Sequence, residues 1–215
     1  MAVTGLILIA FLLVHMYGNL KMFVGYEAFD HYAEWLKGKS SDGGILYPVM
    51  PAGQFIWVFR AALLLAIVLH IWSAATLSAK TIKNRGDKYQ VTKRQAQTYA
   101  ARTMRWGGVI ILVFVIFHLI QFTIVPGILG GHANHPHTMV LAGFQQWWIT
   151  AFYAFSILLV CMHIRHGLWS AFATLGVNLS AISRKWLNII ALVVSVALYA
   201  GFMIMPLCVQ FGILK

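Results

Sequence analysis

Residues 147–175 read WWITAFYAFSILLVCMHIRHGLWSAFATL. A bilayer span needs about 20 mostly apolar residues, and this run meets that requirement. It nevertheless carries His163 in its interior. An ionisable side chain is costly in hydrocarbon and marks a functional site by default. Working outward from this run, three earlier apolar runs each hold a histidine as well: His15, His70 and His118. The spans read roughly as 2–24, 54–79, 105–126 and 147–175, with a fifth over 187–211. The expected fold is an all-α polytopic membrane protein of five transmembrane helices, a single domain over 1–215, whose first four helices form a bundle.

Composition agrees. The chain has 215 residues, 60% hydrophobic and 10% charged, with a mean hydropathy of +0.78. These values exclude an ordinary soluble domain. No repeat, low-complexity segment or soluble domain interrupts the spans. The first apolar run begins at Met1. It is too long for a signal-peptide core and lacks a basic leader, so it reads as a true span. Its abrupt start suggests a missing N-terminal extension.

The net charge of +11 is a topology signal rather than a nucleic-acid footprint, because the basic residues are sorted by loop. The second loop carries Lys80, Lys83, Arg85, Lys88, Lys93, Arg94, Arg102 and Arg105, and the fourth adds Arg184 and Lys185. The third loop, 127–146, has no Lys or Arg. The first loop, 25–53, balances Lys37 and Lys39 against Glu27, Asp30, Glu34 and Asp42, and reads as a re-entry segment. Loops two and four are therefore expected on the cytoplasmic side of a bacterial inner membrane, with the N-terminus inside and the C-terminus outside. Cys161 and Cys208 both fall within spans, and no C-x-x-C-H motif is present. That excludes a disulfide framework and covalent haem attachment.

Topology sets depth, since a helix rises about 1.5 Å per residue. On that rise His15 and His118 lie roughly 12–14 Å below the outer surface, and His70 and His163 roughly 22–24 Å below it. In an up-down-up-down bundle, helices one and three are diagonal partners, and so are two and four. Bundle cofactors are held by side chains projecting inward from facing helices. Each matched pair suits bis-histidine ligation of one b-type haem, giving two haems with irons roughly 10 Å apart along the membrane normal. A single buried histidine is as well explained by a hydrogen bond to a neighbouring carbonyl. Four at two matched depths are not.

Supporting residues are less specific. Gly18, Gly167, Gly107 and Gly108 lie near the histidines and suit close approach of a haem, but also ordinary helix packing through small residues. Arg60 is a candidate partner for the outer haem's propionates, and Arg165, Arg105 and Lys80 for the inner haem's. Snorkelling to the interface is the competing explanation. His166, one turn from His163, is a rival ligand or a propionate partner. His132, His135 and His137 cluster in a glycine-rich stretch that reads as a flexible loop and fits no strict zinc spacing. His31 reads as solvated. Trp57, Trp106, Trp147 and Trp148 fit an interfacial belt. No span carries Asp or Glu, which argues against an ion-coupled transporter, and no nucleotide loop or hydrolase motif is present.

With these residues in place, the chain resembles the single-chain, five-helix, diheme cytochrome b subunit of succinate:menaquinone oxidoreductases and fumarate reductases. The resemblance rests on Phe11-Leu-Leu-Val-His15, Val68-Leu-His70 and Val115-Ile-Phe-His118. It rests most of all on Met162-His163-Ile-Arg-His166-Gly167-Leu-Trp169-Ser170, followed by Ala173-Thr-Leu-Gly176. It covers nearly the whole chain. It implies that His15 and His118 ligate an outer haem, that His70 and His163 ligate an inner haem, and that His163 is favoured over His166. It also implies a flavoprotein subunit and an iron–sulfur subunit as partners, menaquinone or another quinone as electron acceptor, and a possible higher oligomer of the complex. Members usually have a short cytoplasmic segment before helix one, which this sequence lacks. Quinone reduction also consumes protons, and Glu27, Asp30 and Glu34, with His31, suit a relay at the outer face; a plain solvated loop is the competing reading. The rival functions are a diheme cytochrome b of a hydrogenase, formate or nitrate enzyme, and a haem-free structural membrane anchor.

Overall fold

The structure, a computed structural model, describes residues 1–83 and 99–215. The basic stretch 84–98 lies outside the described residues, and with it Arg85, Lys88, Lys93 and Arg94. The described residues form seven α-helices. Five are long and apolar enough to cross a membrane: α1 (Ala2–Leu20), α3 (Gln54–Lys83), α4 (Tyr99–Leu119), α6 (Trp147–Thr174) and α7 (Ala181–Gln210). The chain is an all-α polytopic membrane protein. Two shorter helices, α2 (Tyr26–Leu36) and α5 (Pro136–Phe144), sit in the first and third connections.

Packing gives the bundle its order. α6 packs on α7, α4 and α1, and α1 also contacts α3 and α7. In order of contact the four helices run α3, α1, α6, α4. The diagonals join α1 to α4 and α3 to α6, and α7 lies outside against α6 and α1. The core follows this plan. Ile149, Tyr153, Ile157, Cys161 and Ile164 make α6 the most buried span, joined by Leu198, Met203 and Val209 of α7. On α3, by contrast, Leu64, Leu65, Val68 and Trp72 are exposed, as expected of side chains that meet lipid tails rather than protein. Small residues bring α7 close to α1: a Cβ at Gly201 would collide with the side chain of Met16, and such contacts are typical of membrane helix pairs.

Several boundaries differ from the sequence reading. The fifth span begins at Ala181 rather than 187, because Ser180 and Ser183 form a reciprocal capping box that satisfies free N–H groups of the first turn. The third span agrees with the reading, over Trp106–Ile124, although its helix already begins at Tyr99 and the span ends in a π-helical turn, Ile120–Ile124. Residues 25–53 are not simply a re-entry loop: α2 starts there after Gly25, whose φ is 147°. The glycine-rich stretch read as a flexible loop instead leads into α5, with His135 at the N-cap and Pro136 in the first turn. Gly131, with φ of 81°, lies so close to the backbone of Met139 that a Cβ would not fit.

Candidate functional site

The structure brings the four span histidines together as two pairs across the bundle diagonals. His15 on α1 and His118 on α4 stand with ring centroids 5.8 Å apart at an interplanar angle of 85°. His70 on α3 and His163 on α6 stand 6.3 Å apart at 62°. Imidazole–metal bonds are about 2.0 Å long and a ring nitrogen lies roughly 1 Å from its centroid, so two imidazoles sharing one metal ion stand roughly 6 Å apart. Both pairs match that separation.

The first pair is walled by aromatic rings. Phe11 stacks on His15 at 5.3 Å, Phe202 lies 5.9 Å from it, and Phe114 and Phe122 flank His118 at 6.0 and 5.3 Å. One member of each pair is fixed by a hydroxyl. Tyr153 gives its proton to Gln121 Oε1 at 2.7 Å, so the 3.0 Å contact with His118 Nδ1 is an imidazole N–H donating to the phenol oxygen. Thr4 gives its proton to the Met1 carbonyl at 3.0 Å, so His70 Nδ1, 3.1 Å away, donates to Thr4. In a neutral imidazole the proton on Nδ1 leaves the lone pair on Nε2. Metal-ligating histidines are usually held in this way. His163 leaves its Nδ1 buried without a partner among the described residues, which demands a reason in a folded protein. The donor set and the spacing fit ligation of one metal ion by each pair. No group of three or more His, Cys, Asp or Glu among the described residues is placed to hold a metal ion.

The supporting residues are arranged less simply. His163 faces His70, whereas His166 lies beside Trp169 at 6.5 Å. Arg165 and Lys80 are exposed, and the Arg105 side chain lies outside the described residues. Arg60 lies over the Trp57 ring at 5.0 Å. Gly18 serves the approach of Tyr32, whose ring a Cβ would meet at 2.8 Å, and Gly167 faces open space. The glycines nearest the imidazoles are Gly5, 3.4 Å from His70 Cε1, and Gly108, 4.0 Å from His163 Cε1, each measured to an added Cβ.

At the end of the bundle beyond the first pair, the acidic cluster divides. Glu27, Glu34 and His31 are exposed. Asp30 is buried and accepts from the His137 backbone N–H at 2.9 Å and from its ring Nδ1 at 2.6 Å, with His135 at 3.4 Å. Tyr26 stacks on His137 at 4.9 Å. His135 and His137 thus tie α5 to α2.

Comparison with protein-family models finds no match, and comparison with the curated proteins and with the solved structures finds none either.

Proposed function

We propose that this chain is the diheme cytochrome b membrane anchor of a succinate:quinone oxidoreductase or fumarate reductase, serving electron transfer between an iron–sulfur subunit and a quinone, menaquinone in the reading favoured here. The observation that carries the proposal is the pairing of His15 with His118 and of His70 with His163 across the two diagonals of one bundle. Bound between such pairs, b-type haems supply one-electron redox chemistry.

The residues' own work is binding, orientation and exclusion of water. His15 and His118 hold one haem, His70 and His163 the other. Tyr153 and Thr4 set the tautomers that present Nε2. Phe11, Phe114, Phe122 and Phe202 keep water from the first pair. The sorting of basic residues supports a cytoplasmic N-terminus and cytoplasmic loops two and four in a bacterial cell. The flavoprotein and iron–sulfur subunits then dock on that face, nearer His70 and His163. Glu27, Asp30 and Glu34 lie at the opposite face, where protons for the quinone enter. Asp30, the buried member, is the strongest candidate for the relay.

The test is co-purification. The complex extracted in mild detergent should contain a flavoprotein and an iron–sulfur protein and reduce a menaquinone analogue with succinate. Partners of hydrogenase, formate or nitrate type would overturn the assignment while leaving the haem pairs intact.

A further inference from the structure

Three cations converge at the α2–α5 end of the bundle, outside the histidine pairs. A cavity of ≈ 550 Å³ there is lined by Lys37, Lys39 and Arg60, by Trp57 and Phe122, and by the first residues of α3. Among the described residues no carboxylate lines it, and none forms an ion pair with the three cations. Burial, followed by the charges of Lys39 and Arg60, holds the Lys37 ammonium below its ordinary range, more than Glu34 and Asp30 raise it. The N-terminus of α3 adds its positive dipole end. Cations that outweigh the carboxylates acting on them make a site for an anion.

The surroundings name the kind of anion. α3 is a span, and the cavity straddles its end. Trp57 is exposed there, and below it Val58, Leu64, Leu65 and Val68 present an exposed apolar face. A small soluble anion has no use for that face. An amphiphile uses both, placing its charged head among the cations and its chains along α3.

We propose that this cavity binds the phosphate of an anionic phospholipid, held by Lys37, Lys39 and Arg60. The proposal does not depend on the haem assignment. It moves Arg60 from a propionate partner to a lipid ligand.

The probe is phosphatidylglycerol against phosphatidylcholine, added to the full chain in mild detergent together with whatever co-extracts. Retention is read by native mass spectrometry. Phosphatidylglycerol should stay bound where phosphatidylcholine does not, and Lys37→Gln with Arg60→Gln should cut its retention at least about tenfold. Lys39→Gln, at an exposed position, should cut it less and keeps the test open if the double variant does not fold. Lys21→Gln, which removes a cation at the same end that sits over Tyr17 and Tyr32 instead, should change nothing. Equal retention of the two lipids, or an equal loss in Lys21→Gln, would overturn the proposal. So would displacement by millimolar inorganic phosphate, which would make it a free-anion site. Loss of haem from Arg60→Gln with lipid retention intact would return the cavity to the cofactor's carboxylates.

Discussion

The Tyr153 hydroxyl stands 3.0 Å from His118 Nδ1 and spends its proton on Gln121, so the tyrosine receives the imidazole N–H rather than donating to it. Tyr153→Phe removes that acceptor inside a buried site. A buried donor left unpaired costs about 1–3 kcal/mol. The variant should melt earlier in detergent by that margin, and any haem signal that changes should be the one lost with His15→Ala, not the one lost with His70→Ala. An unchanged melt would show that the tyrosine holds nothing.

Gly143 is the far end of the same chain of contacts. An added Cβ would lie 2.7 Å from Gln121 Nε2, too close for the amide to stay. Gly143→Ala should displace Gln121, weaken its bond to Tyr153, and cost about 1–3 kcal/mol as overpacking does. Combined with Tyr153→Phe, the losses should fall short of additive, because both changes break one network. Full additivity in the double variant would contradict the link.

Asp30→Ala should loosen the cap over this end. The carboxylate accepts two hydrogen bonds from His137, and bonds to a charged acceptor contribute about 1.5–3 kcal/mol each. Hydrogen exchange should accelerate at the start of α5 and in α2, while α6 amides keep their protection. Unchanged exchange at His137 would remove the tether.

Lys37 offers a pH signature. Its folded-state pKa lies below the ordinary 10.5 because burial and nearby cations oppose its charge. The charge therefore costs stability below the folded pKa, and the cost fades as pH rises from there towards 10.5. In lipid-stripped protein Lys37→Gln should be at least as stable as wild type at neutral pH, with the gain vanishing at high pH. Melting curves across pH check this, and a destabilised variant at neutral pH would contradict it.

Length and apolar content made the five spans legible, and helical rise with loop charge made the two histidine levels legible. The short helices were hidden for physical reasons. α2 carries Glu27, Asp30 and Glu34 and so resembles a solvated loop, and α5 follows glycines that look like flexible sequence. The bond of Asp30 to His137 joins residues 107 apart, a distance no spacing rule covers. Gln121 did leave a trace: it is a polar side chain in an apolar span, three residues past His118. Offset to a histidine marks Gly18 and Gly167 alike, yet Tyr32 packs against Gly18 while Gly167 opens onto free space, because offset along a helix does not say what a neighbouring element brings to that face.

A reduced-minus-oxidised spectrum with haem quantitation, on the chain purified with its partners, goes most directly to the pairing. Two b haems per chain are expected. His15→Ala and His118→Ala should each remove the same one, and His70→Ala and His163→Ala the other. A colourless protein, or loss patterns that cross the pairs, would contradict the assignment of the histidines.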